Sequence, residues 1–98
     1  MTVICNYPSK KFMQDRLAEL TAAGEKMPFD GYDPSVFGNS AIQPNGRFAV
    51  CNRPQIDGRG MRLARQFDLR TSTGKLKAPR EFFATVVLDA DMNIKSVK

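Results

Sequence analysis

Arginine is the residue type through which this chain has most to offer chemically. Seven arginines and two lysines fall in residues 47–80: Arg47, Arg53, Arg59, Arg62, Arg65, Arg70, Lys75, Lys77 and Arg80. The same stretch holds only Asp57 and Asp68 as acids, so it carries +7 of charge, while residues 1–46 and 81–98 each carry −1. A guanidinium presents two parallel N–H groups to two oxygens, which suits carboxylates and phosphates. One third of the chain holding all the excess charge points to a face that meets something acidic.

Other chemistry is poorly supplied. The chain has no histidine, which removes the usual general base near neutral pH and the commonest transition-metal ligand. Cys5 and Cys51 lie inside apolar strand patterns, where a cysteine reads as a small inert core residue. Two cysteines have neither the number nor the spacing of a structural zinc site. Thr73-Gly74-Lys75 echoes the end of a phosphate-binding loop, but Leu69 and Leu76 stand where that loop needs a glycine and a hydroxyl residue. Asp30 with Asp33, and Asp89 with Asp91, are carboxylate pairs placed in turns, where aspartate bonds its own backbone. The expectation is a protein that is not an enzyme, with no cofactor and no metal.

Two nucleic-acid signals are weak. Arg47-Phe48-Ala49-Val50 has part of an RNA-recognition strand, but only Phe48 is aromatic where alternate positions should be. Gly58-Arg59-Gly60 is one triplet rather than a tract.

The elements that must hold these residues are legible in part. At 98 residues the chain makes one domain, 1–98, with 42% hydrophobic content. Thr2–Tyr7 reads as a strand ended by Pro8. Ser9 is a helix N-cap, Lys10–Ala23 the helix and Gly24 its left-handed stop. Met27 to Pro34 is turn chemistry carrying Phe29 and Tyr32, and a short strand is expected over Val36–Gln43. Pro44-Asn45-Gly46 signals a hairpin, followed by a strand over Arg47–Asn52 with Phe48 and Val50 on one side. A short helix over Gly60–Asp68 would turn Met61, Ala64 and Phe67 inward. Arg59, Arg62 and Arg65, three apart, would share its outward side. Glu81–Leu88 is a central strand, and Met92–Val97 returns as an edge strand.

Val3-Ile4-Cys5-Asn6-Tyr7-Pro8 also echoes Ala49-Val50-Cys51-Asn52-Arg53-Pro54 at an offset of 46, which repeats at Arg16-Leu17-Ala18 and Arg62-Leu63-Ala64. The reading is an α+β fold: a small antiparallel or mixed β-sheet of four to five strands with two helices, with an internal strand-helix-hairpin duplication as one account of the echo. No apolar run approaches a membrane span, and the first residues lack the pattern of a signal peptide. With few cysteines, the expected location is the cytoplasm.

Two stretches, Val3-Ile4-Cys5-Asn6-Tyr7-Pro8-Ser9-Lys10-Lys11 and Arg80-Glu81-Phe82-Phe83-Ala84-Thr85-Val86, resemble small uncharacterised proteins of bacterial phages and plasmids. That resemblance implies an inhibitor of host defence or a modulator of host nucleic-acid machinery, anti-CRISPR proteins included. The residues expected to meet a partner are Arg59, Arg62, Arg65, Arg70, Lys75 and Lys77, with Phe29 and Tyr32 at the rim. The partner is an acidic protein surface or nucleoprotein complex; the alternatives are DNA or RNA directly, or a homodimer joined through the last strand.

Overall fold

A computed structural model describes residues 2–33, 42–54 and 58–98. Along the chain run β1 (Thr2–Cys5), α1 (Lys10–Ala22), β2 (Gly31–Tyr32), β3 (Arg47–Cys51), α2 (Arg59–Gln66), β4 (Phe83–Leu88) and β5 (Ile94–Val97). The strands form one mixed sheet in the order β2-β1-β3-β4-β5. β1 and β3 are parallel and every other pair is antiparallel. This is the expected α+β fold, with two helices and five strands among the described residues.

Local chemistry explains α1. The Ser9 hydroxyl accepts a bond from the Phe12 N–H at 3.0 Å, filling one of the donors a helix start leaves empty. At the other end Gly24 takes φ +74°. Glu25 N–H then reaches back to the Leu20 carbonyl and Gly24 N–H to that of Thr21, the paired bonds of a Schellman stop. Met13 is fully buried against the sheet, and Phe12, Leu17 and Leu20 pack beside it. The Gln14 side chain donates to the Val97 carbonyl of edge strand β5.

Alternation sorts the strands into two faces. Val3 and Cys5 of β1, Phe48 and Val50 of β3, and Ala84, Val86 and Leu88 of β4 turn to the α1 side and form the core with Met13, Met27, Ile94 and Val97. Each valine, leucine, isoleucine, phenylalanine or methionine among them contributes about 1.5–3 kcal/mol by leaving water. The opposite face carries Arg47, Ala49 and Cys51 of β3 with Phe83, Thr85 and Val87 of β4.

Several expectations need adjustment. β2 is a two-residue strand inside the stretch read as turns; it exists because the edge of β1 was free to pair. Gly31 is required there, since a Cβ would stand 2.6 Å from the Ile4 carbonyl oxygen. The turn at Pro44 is real: Gly46 N–H bonds the Gln43 carbonyl and Asn45 alone takes positive φ, +59°. Proline followed by a left-handed asparagine is type II chemistry rather than the doubly left-handed hairpin turn. Of the strand expected over Val36–Gln43, residues 36–41 lie outside the described residues, and Ile42 and Gln43 are not strand.

The echo at offset 46 has a counterpart in the topology. Each copy begins with a strand and a helix, and each strand is flanked by an antiparallel neighbour, β2 on β1 and β4 on β3. The sheet pairs Val3 with Val50 and Ile4 with Cys51, an offset of 47. Cys5 and Cys51 therefore point to opposite faces, and both are free thiols.

Candidate functional site: an arginine-rich face at the strand ends

The basic segment opens with β3, and most of its charge follows the end of that strand. Asn52 organises that point: it is fully buried, its Nδ2 donates to the Tyr7 and Pro8 carbonyls, and its Oδ1 accepts from Phe82 N–H at 2.9 Å. One side chain thus ties the end of β1 to the start of β4. α2 follows, pressed against its surroundings at Gly60, where a Cβ would meet the Pro54 carbonyl at 2.8 Å and the Ala78 methyl at 3.0 Å. At its other end the Phe67 ring stands edge-on to Phe12 of α1, centroids 4.8 Å apart.

The three arginines of α2 do not share a side. Arg62 and Arg65 are exposed, as expected. Arg59 is the correction: only 3% exposed, it sends Nη2 to the Cys5 carbonyl and to Asn6 Oδ1. Its Nε and Nη1 have no hydrogen-bond partner among the described residues. Arg59 occupies the first position of the helix, beside the C-terminal end of β1, so its stem turns under the helix into the strand ends. Arg59 is thus structural in this fold and takes no place on the outward stripe. The echo carried a signal for this: an offset of 46 sets Arg59 against Met13, the fully buried residue of α1. Leu63 and Ala64 are buried too, while Met61, expected inward, is 40% exposed.

α2 ends in a second Schellman stop. Leu69 N–H bonds the Ala64 carbonyl and Asp68 N–H that of Arg65, with Asp68 at φ +51°. Arg65 lies in the last turn, where the carbonyl end of the helix favours a cation. Arg70 then holds the loop together: Nε bonds Asp68 Oδ1 at 2.7 Å and Nη1 the Gly74 carbonyl at 2.8 Å. Backbone bonds from Lys77 to Leu69 and from Thr71 to Lys75 close it into a tight return that displays Lys75 and Lys77.

Against this loop runs a groove of about 480 Å³. Phe12, Leu69, Pro79 and Phe82 give it an apolar floor, and Arg70, Lys77 and Arg80 give it a basic rim opposed by Glu81. Arg70 is the rim cation already engaged in an ion pair; the ion pairs among the described residues involve neither Lys77 nor Arg80. The structure therefore brings Arg70 and Lys77 together with Arg80, and keeps Arg62 and Arg65 on the helix leading into the same loop.

The rim aromatics lie elsewhere. Phe29 is half-buried and stacks edge-on against Phe48 at 5.3 Å, so it folds back into the core, as a small domain needs its large apolar groups to do. Tyr32 is 38% exposed, on the outermost strand β2. Phe37, the next aromatic along the sequence, lies outside the described residues. Sequence reasoning missed the groove floor, because Phe12, Leu69 and Phe82 converge from three separate segments.

Burial pushes the Cys5 thiol up to about 11, against weaker opposing effects from the Tyr7 backbone and Arg59. A thiol so held is protonated at neutral pH and is a poor nucleophile. Among the described residues no three His, Cys, Asp or Glu side chains gather as metal ligands, and no helix is long and apolar enough to cross a membrane. Comparison with protein-family models, curated proteins and solved structures finds no match to this chain.

Proposed function

We propose that this chain is a non-enzymatic binding protein whose arginine-rich face occupies an acidic site on a nucleic-acid-handling complex. It would inhibit or modulate that complex in the manner of the small phage and plasmid proteins that its two end stretches resemble. The observation that supports the reading is the groove: cations from Arg70, Lys77 and Arg80 surround an apolar floor. An acidic protein segment with one large apolar side chain satisfies both parts, and such buried anchors carry much of an interface's energy. Arg62 and Arg65 extend the positive field along α2 and steer an acidic partner toward it. Direct binding of DNA or RNA by the same face is the second reading, favoured by the excess of arginine, whose planar fork also fits phosphate.

The test is a double charge reversal, Arg62→Glu with Arg65→Glu, beside a control reversal of equal charge at Lys26 and Lys95, which lie together at the other end of the sheet. Both variants should fold. The proposed function requires that only the first lose capture of nucleoprotein complexes from a bacterial extract. Equal loss in both would reduce the effect to net charge, and no loss in either would remove the arginine face from consideration.

A further inference from the structure

The sheet face turned away from α1 carries a second feature, independent of the arginine-rich groove. Phe83 is 62% exposed there. It begins β4, opposite Cys51 of β3. Down the same face the register sets Ala49 against Thr85 and Arg47 against Val87. Lys98 pairs with Thr85 through reciprocal backbone bonds of 2.8 and 2.9 Å, which puts it on that face as well. Arg47, Ala49 and Lys98 are exposed, and Thr85 and Val87 are half-buried.

We propose that the exposed part of this face binds single-stranded nucleic acid, one base stacking on Phe83 while Lys98 and Arg47 take the phosphates that follow. Three observations favour this occupant. On the row of Phe83 itself Cys51 and Ile4 are fully covered and the part-exposed Tyr32 lies three strands away, while Ala49 and Thr85 in the next row are small, so a base plane can reach the ring from that side, whereas a stable protein partner needs a broad apolar patch. Within the described strands the charge is of one sign, since none of the five contains an aspartate or glutamate. The spacing is that of a track: at about 3.3 Å per residue, Lys98 lies roughly 7 Å and Arg47 roughly 13 Å along the strands from the Phe83 row. Aromatic rings on a sheet flanked by cations are the general means of holding unpaired bases.

The feature was half visible in the chain. The recognition-strand echo at Arg47-Phe48-Ala49-Val50 fails at Phe48, which faces the core. The exposed ring comes instead from the neighbouring strand and the opposite face, and Arg47 and Ala49 share that face with it.

The experiment measures fluorescence anisotropy of short labelled oligo-dT and oligo-U with the intact chain. Phe83→Ala should weaken binding roughly tenfold or more without changing the melting temperature, because the ring is mostly outside the core. Phe83→Trp should retain it, and Arg47→Ala should weaken it and flatten the salt dependence. Absence of wild-type binding at low salt overturns the proposal. So does wild-type affinity in Phe83→Ala, including the case where only the Arg62 and Arg65 reversal removes binding, which would place the nucleic acid on the α2 face. Concentration-dependent dimers abolished by Phe83→Ala would identify a second copy as the occupant and equally overturn it.

Discussion

Replacing Arg59 separates a structural arginine from a binding one. In Arg59→Ala the Cys5 carbonyl and Asn6 Oδ1 lose their donor. Bonds from a charged donor are worth about 1.5–3 kcal/mol each. The same change removes two buried nitrogens, Nε and Nη1, that have no hydrogen-bond partner among the described residues, each costing about 1–3 kcal/mol. Those contributions nearly offset. What remains is the void left by a stem that is 97% covered and the exposure of two acceptors to a site they cannot reorganise, a net loss of about 2 kcal/mol. Arg59→Met keeps the stem volume and removes the charge, so its cost should be about 1 kcal/mol or less. In a domain of this size each kcal/mol moves the melting temperature by roughly 4–8 °C. Thermal unfolding followed by circular dichroism should therefore show Arg59→Ala melting about 10 °C low, Arg59→Met within about 5 °C of wild type, and Arg62→Ala unchanged. A wild-type melting temperature for Arg59→Ala, or an equal fall for Arg62→Ala, would refute the division of α2 into one buried and two exposed arginines.

Two further outcomes follow from buried groups. Asn52→Ala should destabilise by about 2–4 kcal/mol, measured by urea unfolding, because three backbone groups lose their partner at once; Asn52→Asp should not rescue it, since a carboxylate cannot donate to the Tyr7 and Pro8 carbonyls. Cys5 should resist iodoacetamide at neutral pH in the folded protein and react fully in denaturant, and rapid native alkylation of Cys5 seen by mass spectrometry would contradict its raised pKa.

How much of this was legible depended on how local the determinants were. α1 could be placed from Ser9 and Gly24 because both caps act within a few residues of themselves. β4 was clear from alternation, which set Phe82 and Phe83 on opposite faces; apolar residues on both faces implied cover on both sides, whereas Phe83 is 62% exposed. β2 was not, because two residues carry no period and Gly31-Tyr32 owes its strand to the edge of β1. The spacing of Arg59, Arg62 and Arg65 is periodic on a helix that continues both ways. α2 begins at Arg59, though, and a first residue answers to the strand ends it abuts rather than to the helix face. The groove needed Phe12, Pro79 and Phe82 to meet across the fold, a tertiary fact that no window of sequence contains. The charge asymmetry did survive: the segment that stood out at +7 forms the helix and loop on which Arg62, Arg65, Lys75 and Lys77 are displayed.

The most direct test of the arginine face is a salt titration of its affinity for a generic polyanion. Wild type, the Arg62→Glu/Arg65→Glu variant and the Lys26→Glu/Lys95→Glu control would be eluted from immobilised heparin by a rising salt gradient. Wild type should be retained and elute late, the control slightly earlier, and the α2 reversal far earlier than its matched control, because each lost contact removes its share of released counterions. Coincident elution of the two reversed variants would mean that the chain responds to net charge alone, and the claim of a built basic face would fall.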